Sequence, residues 1–122
     1  MVGRPLEGPE LIGYNHIEAS LLAGVRVIKV PFLVPGTGGM TLGRHVLMVR
    51  DSDRSGRSVL LAHELVHVRQ FAEIGRVGFL ARYLRDYLRG LVRLRNHRAA
   101  YLAIPAEIEA REQAATWVAN FG

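Results

Sequence analysis

The sequence contains no cysteine among its 122 residues. This absence excludes disulfide frameworks, thiolate zinc sites and cysteine nucleophiles, so any metal site must use nitrogen and oxygen ligands. Acidic residues are also fewer than basic ones, 11 against 16, and the formal net charge is +5. A chain of this length with 49% hydrophobic residues can bury a core without cross-links. We therefore expect one domain covering residues 1–122.

Long apolar runs are missing as well. The first ten residues contain charged residues and two prolines but no apolar run, so no secretory signal is expected. No stretch approaches the roughly 18 apolar residues that a transmembrane helix needs. The glycine-rich segment 35–39 lacks the Gly-Lys-Ser/Thr ending of a phosphate-binding loop. These absences predict a cytoplasmic protein with no transmembrane span.

Hydrophobic periodicity predicts an α+β fold that is mainly helical. Helices are expected at 16–23, 59–74, 77–95 and 105–121, and strands at 25–34 and 40–50, with a connection at 96–103. The strands should form a small antiparallel sheet of two or three strands, packed on the apolar helix 59–74. In the helix 77–95, a stripe of apolar residues should pack on the core, with arginines largely off it. That stripe consists of Leu80, Leu84, Tyr87, Leu88 and Leu91.

Residues 63–67 read His-Glu-Leu-Val-His within the helix 59–74. Two histidines four positions apart lie one turn apart on one helix face, where both imidazoles can reach one zinc ion. Glu64 points to the neighbouring side and is the candidate general base for a zinc-bound water, whose pKa falls to about 7. The alternative is that His63 and His67 are core histidines, but three ionisable groups would then be buried together at considerable cost.

A third ligand must come from another part of the chain. Gln70 and Glu73 stand where the metzincin extension requires Gly and His, so that class is excluded. In the last helix, Glu107 lies at the centre of the apolar face, whereas Glu109 and Glu112 lie about 140–160° away on the polar side. We therefore predict Glu107 as the third ligand; the alternative is an ion pair between Glu107 and Arg111 at i,i+4.

The two motifs together resemble those of the gluzincin metallopeptidases, particularly small bacterial zinc peptidases. Residues 63–70 read His-Glu-Leu-Val-His-Val-Arg-Gln, and residues 104–111 read Ile-Pro-Ala-Glu-Ile-Glu-Ala-Arg. The resemblance covers residues 40–118. It implies a zincin-like fold, zinc held by His63, His67 and Glu107, Glu64 as the base, and an edge strand that receives an extended peptide or protein substrate. Several gluzincins carry an acidic residue that supports a histidine ligand where this chain has Arg111.

Gluzincins often supply a Tyr or His to stabilise the developing oxyanion. The candidates here are Tyr101, His97, Tyr83 and Tyr87, and Tyr101 is preferred because it lies just before the helix that carries Glu107. The sequence thus predicts a zinc metallopeptidase with Glu64 and Tyr101 as catalytic residues.

A second hypothesis is a non-catalytic module in which zinc only stabilises the fold. Its arginine-rich helix would then bind nucleic acid or an anionic membrane. The arginines concerned are Arg82, Arg85, Arg89, Arg93, Arg95 and Arg98.

Overall fold

The computed structural model describes residues 3–34 and 37–120. Within these ranges the chain forms a mixed α+β structure with six helices and one four-stranded sheet. None of these helices combines the length and the apolar character needed to cross a membrane. The elements in chain order are β1 (Arg4–Pro5), α1 (Gly8–Gly13), α2 (Ala19–Gly24), β2 (Arg26–Lys29), β3 (Gly39–Leu42), β4 (His45–Met48), α3 (Val59–Ile74), α4 (Arg76–Leu94), α5 (His97–Leu102) and α6 (Pro105–Ala119).

The sheet differs from the expected antiparallel sheet of two or three strands. Its strand order is β1-β2-β4-β3, with β1–β2 and β3–β4 antiparallel and β2–β4 parallel. The strand expected at 40–50 is divided at Gly43, whose φ of 65° lets the chain reverse. The reversal makes β4 antiparallel to β3. Strand β4 lies between β2 and β3 and runs parallel to β2, so β3 lies at the sheet edge. The prediction was therefore wrong in strand number and in the direction of one pairing.

The first strand and the first helix are shorter than predicted. Within 25–34 only β2 is strand, and its pairing with β4 ends after the Val30 amide donates to the Met48 carbonyl. Pro31, which follows, has no amide hydrogen for the ladder. The helix expected at 16–23 is reduced to α2. The sequence analysis also missed α1, which has proline in its first turn and a Glu10 carboxylate that accepts from the Glu7 amide at 2.9 Å.

The helix that carries the two histidines is as predicted. The Ser58 side chain accepts a hydrogen bond from the Leu61 amide at the start of α3, and Gly75 with a φ of 90° follows its last residue. Leu61 and Leu65 are fully or almost fully buried. One side of α3 packs on α6 and another on β3 and β4, so α3 lies at the centre of the molecule.

Helix α4 has nearly the predicted bounds, but its leucine stripe does not pack on the core. Leu80, Leu84 and Leu88 are 48%, 56% and 49% exposed. The core-facing contacts of α4 are made by other residues: Phe79 lies against Phe71 of α3, with ring centroids 4.1 Å apart. The periodicity correctly predicts an apolar face, but that face points away from the core.

The C-terminal region contains one unexpected helix. Asn96 caps α5 by accepting from the Ala99 amide at 2.9 Å, so the segment expected as a connection is partly helical. Helix α6 begins at the predicted proline and ends at Ala119, and Asn120 is its non-helical C-cap, so the helix is shorter than predicted; residue 121 lies outside the described residues, as do residues 35 and 36 of the glycine-rich loop. Ala110 and Ala114 are buried on the face of α6 that packs on α3.

Candidate metal centre

Helix α3 presents the two histidines to the same point. Residues four positions apart lie one above the other on a helix, and the ring centroids of His63 and His67 are 5.1 Å apart. His67 is buried and His63 is partly exposed, with side-chain exposures of 6% and 16%. The pair therefore has one sheltered member and one member at the surface, which leaves an opening to solvent.

Glu107, in the first turn of α6, completes the cluster. Its Oε1 atom lies 2.9 Å from His63 Nε2 and 3.1 Å from His67 Nε2. One ligand atom from each of the three residues lies within 4.8 Å of the others, so the cluster could hold a metal ion. Tetrahedral zinc with bonds of about 2.0–2.1 Å separates its ligand atoms by about 3.3 Å, which is close to the two distances from Glu107 Oε1 to the histidine nitrogens.

The other glutamates of α6 face elsewhere. Glu109 Oε1 accepts from Arg69 at 2.9 Å and from Gln70 at 2.6 Å, and Glu112 is exposed. The alternative ion pair between Glu107 and Arg111 does not form, because Arg111 Nη2 instead donates to the Leu102 carbonyl at 2.6 Å. The helical periodicity thus correctly separated the buried Glu107 from the exposed Glu109 and Glu112.

Gln70 fixes the orientation and the tautomer of His67. Its amide nitrogen donates to the Ala106 carbonyl at 3.1 Å and to Glu109 at 2.6 Å, so its amide oxygen faces His67 Nδ1 at 2.7 Å. Nδ1 must then be the donor, and a neutral His67 has its lone pair on Nε2. That buried nitrogen has no hydrogen-bond partner among the described residues, although Glu107 Oε1 is 3.1 Å away. An orphaned nitrogen lone pair beside a carboxylate is the arrangement that a cation would stabilise.

The charges of the cluster also favour a cation. Burial alone would raise the pKa of Glu107, but the imidazoles of His63 and His67 outweigh it, so its pKa lies well below the usual range. Burial alone would lower the pKa of His67, but the carboxylates of Glu107 and Glu64 and the hydrogen bond to Gln70 together more than compensate, so the net shift is upward. Both shifts reflect the attraction between the negative charge of Glu107 and positive charge on the imidazoles, so positive charge beside Glu107 is favoured.

Glu64 lies beside the cluster but is not part of it. Its side chain is almost fully buried, and burial raises its pKa above the usual value. The Thr41 hydroxyl lies 2.9 Å from Glu64 Oε1 and 3.0 Å from the Glu64 carbonyl oxygen, so it can donate to either. A strand at the sheet edge thus holds the carboxylate next to the two histidines.

Of the four candidates for the oxyanion donor, Tyr83 makes the closest contact with the cluster. The Tyr83 hydroxyl on α4 donates to Glu107 Oε2 at 2.6 Å. Tyr101 on α5 is half-buried, and its pKa is raised by burial and then by the negative charge of Glu107, so it also lies in the neighbourhood of the cluster. His97 Nδ1 lies 2.7 Å from the Tyr87 hydroxyl on an exposed part of the surface.

Gln70 and Thr41 had no role in the prediction from sequence, and Tyr83 was named there only as a candidate oxyanion donor, not as a partner of Glu107. Gln70 could have been found, because it lies three positions after His67 and therefore on the same side of the helix. Thr41 and Tyr83 come from a strand and a helix whose positions relative to α3 depend on tertiary packing. No spacing in the sequence indicates these two contacts.

Comparison with known families gives one match. Residues 35–75 match the family model of the eCIS core domain, which corresponds to roughly a third of the chain. The matched segment contains β3, β4 and α3 with His63, Glu64 and His67, but it ends before Glu107. No curated protein and no solved structure matches the chain. The comparisons therefore give no support for the gluzincin resemblance, which stays a prediction.

Proposed function

We propose that this protein is a zinc-dependent metallopeptidase with a zincin-like active site. The observation that carries the proposal is the convergence of His63, His67 and Glu107 from two helices, with Glu64 buried beside them. Two imidazoles and one carboxylate are a ligand set of catalytic zinc sites, in which the fourth position is left for water or substrate. Zinc bound by these residues would polarise the substrate carbonyl and make a water molecule more acidic.

The protein side chains around the site suit this ligand set. Glu107 is held in its ionised form, and in neutral His67 the bond to Gln70 keeps the proton on Nδ1 and the lone pair on Nε2. A metal-binding histidine commonly donates its second ring nitrogen to a carbonyl or carboxylate oxygen, and here the Gln70 amide oxygen accepts that bond. The supporting residue that the sequence left unassigned at Arg111 is therefore supplied by Gln70 in this proposal.

Glu64 is the proposed general base. Burial raises its pKa above the ordinary value, and a carboxylate with a raised pKa is a stronger base for a proton from water. The Thr41 hydroxyl orients the carboxylate, so Glu64 can take a proton from the attacking water and pass it to the leaving amine. This role requires no contact between Glu64 and the metal itself.

The edge strand β3 is the proposed binding place for the peptide. One side of β3 pairs with β4, and the other lies at the edge of the sheet among the described strands. An extended peptide can add to such an edge through backbone hydrogen bonds. Gly39 in this strand is buried beside Glu64, where an added Cβ atom would lie 3.1 Å from Glu64 Cγ. Peptide bound along β3 would therefore pass close to the catalytic base.

Metal analysis combined with peptide hydrolysis tests this proposal. We expect one zinc per chain and hydrolysis of a mixed-sequence peptide library by the wild type. Glu64→Gln should retain zinc but lower kcat by at least about 100-fold, because proton transfer contributes that much. His63→Ala should lose the zinc, whereas Glu112→Gln, an exposed glutamate on the same helix as Glu107, should match the wild type. A protein that binds no zinc, or a Glu64→Gln variant with unchanged activity, would contradict the proposal.

The second hypothesis, a zinc-stabilised module without catalysis, makes a different prediction in the same experiment. It expects zinc that raises the unfolding temperature, no hydrolysis by the wild type, and a normal zinc content in Glu64→Gln. The outward face of α4 favours one part of this hypothesis, the binding of nucleic acid or an anionic membrane. That binding is compatible with either a catalytic or a structural role of the zinc.

A further inference from the structure

Helix α4 exposes an apolar face along its whole length. Val77, Leu84 and Val92 are 83%, 56% and 77% exposed. At 100° per residue these side chains and Leu88 lie within about 60° of Val77, and at 1.5 Å per residue the face extends over about 22 Å. The remaining exposed apolar residues of this face, which we call the outer face of α4, are Leu80 and Ala81.

The other side of α4 is occupied by contacts within the protein. Phe79 packs on Phe71, Tyr83 binds Glu107, and Gly90 lies against Ala100, where an added Cβ atom would come within 3.3 Å of the Ala100 Cα atom. These inward positions lie about 140° around the helix from the centre of the outer face. The helix therefore cannot rotate its leucines inward without losing Tyr83 from the candidate metal centre.

Arginines border the outer face on one side. Arg85, Arg89 and Arg93 follow each other at intervals of four residues, and their side chains line the same shallow surface depression as Leu84, Leu88 and Val92. Only Arg85 has an acidic neighbour, Asp86 at 3.1 Å, which is also the only acidic residue of α4. No ion pair to Arg89 or Arg93 exists within residues 3–34 and 37–120.

We propose that the outer face of α4 docks on an anionic lipid surface. An apolar helix face bordered by arginines is the pattern of helices that lie in the plane of a membrane interface. The leucines and valines would enter the boundary between headgroups and acyl chains, while the arginine stems remain at the level of the headgroups and the guanidinium groups meet lipid phosphates.

Charge complementarity favours this occupant over two others. In a second copy of the chain, the outer face would bring more arginine and no free acidic side chain, and an antiparallel pairing would place the arginine borders against each other. Nucleic acid would satisfy the arginines, but it offers its phosphates to a face whose centre is apolar. A lipid surface satisfies both the apolar centre and the basic border.

Vesicle binding by the intact protein tests the proposal. We expect sedimentation with vesicles of phosphatidylcholine and phosphatidylglycerol in equal amounts, and little binding to phosphatidylcholine alone. A single arginine near an anionic surface contributes about 1 kcal/mol, so Arg89→Gln combined with Arg93→Gln should weaken binding about 30-fold. Leu84→Ser combined with Leu88→Ser should weaken it about tenfold or more.

Matched controls use exposed residues outside α4. Ile12→Ser removes an apolar side chain that is even more exposed than Leu84 and Leu88, and Arg44→Gln combined with Arg50→Gln removes the same charge as the arginine pair. We expect these variants, and Glu64→Gln, to bind vesicles as the wild type does. The last comparison separates this proposal from the proposed peptidase activity, which Glu64→Gln should strongly reduce. Circular dichroism should show unchanged helix content in every variant.

Several outcomes would overturn the proposal. These include equal binding to both kinds of vesicle, no binding to either, binding to duplex DNA but not to vesicles, and a dimer in solution that the Leu84→Ser and Leu88→Ser substitutions dissociate. A loss of binding in the controls as large as that in the α4 variants would also overturn it, because the effect would then not belong to the outer face.

Discussion

Glu107 has different partners for its two carboxylate oxygens. Oε1 faces the Nε2 atoms of His63 and His67, whereas Oε2 accepts a hydrogen bond from the Tyr83 hydroxyl. Because Oε2 already accepts this hydrogen bond, we expect Glu107 to bind a metal through Oε1 only. Tyr83 is therefore a positioning residue for Glu107 in our proposal.

The two tyrosines near Glu107 can be distinguished by substitution. Tyr83→Phe should lower zinc affinity by about tenfold or more, because residues that support metal ligands commonly contribute that much. Tyr101→Phe should leave zinc affinity unchanged and lower kcat by about 100-fold if its hydroxyl stabilises the oxyanion. Chelator competition and steady-state kinetics measure the two effects. The opposite pattern would transfer the oxyanion role to Tyr83.

Gln70 provides a second test at the level of a single side chain. Gln70→Leu removes the acceptor for His67 Nδ1, so the imidazole can rotate or change tautomer, and we expect zinc affinity to fall about 10- to 100-fold. Gln113→Leu is the matched control, since Gln113 also connects α6 to α3, through Arg69 at 2.7 Å, without touching a proposed ligand. Equal zinc affinities of these two variants would show that Gln70 does not orient the ligand.

At the level of elements, the sequence predicts what depends on local patterns and misses what depends on packing. Residue spacing within α3 predicted His63 and His67 on one face, and periodicity in α6 selected Glu107 over its neighbours. Both inferences concern one helix at a time. The contacts made by Thr41 and Tyr83 each join two elements distant in the chain, and no periodicity within one element specifies them.

Helix α4 shows the same limit for an entire element. Its periodicity is strong enough to define an apolar face, and the sequence analysis assigned that face to the core because most apolar faces are buried. In the structure, the aromatic residues Phe79 and Tyr83 hold the helix from the other side. The sheet provides a second case, since the apolar pattern through 40–50 continues across the turn at Gly43 and does not indicate the reversal.

At the level of the whole molecule, Arg4 connects β1 to two other segments, one of them distant in the sequence. Its guanidinium group on β1 donates to Asp51 beyond β4 at 2.6 and 2.7 Å and to Glu10 of α1 at 2.7 and 3.1 Å. Glu10 is fully buried and Asp51 is largely buried, so water screens these bonds less than it screens ion pairs at the surface. The pair of Arg54 and Glu7, in contrast, is about half exposed and should contribute little.

Asp51→Asn should reveal this network through the pH dependence of stability. The hydrogen bond from Arg4 is the main cause that lowers the pKa of Asp51 below its ordinary value of 3.8. A carboxylate with a lowered pKa stabilises the fold above its ordinary pKa, and this contribution is lost as the pH falls through the lower, folded-state value. We expect Asp51→Asn to lower the free energy of unfolding by about 1.5–3 kcal/mol at pH 7, the usual contribution of hydrogen bonds to charged groups. The difference from the wild type should shrink steadily once the pH is taken below 3.8. Urea unfolding at a series of pH values measures this difference in the free energy of unfolding. Glu112→Gln is the control for an exposed carboxylate. A difference that stays constant down to acid pH would show that the charge of Asp51 contributes nothing to its bond with Arg4.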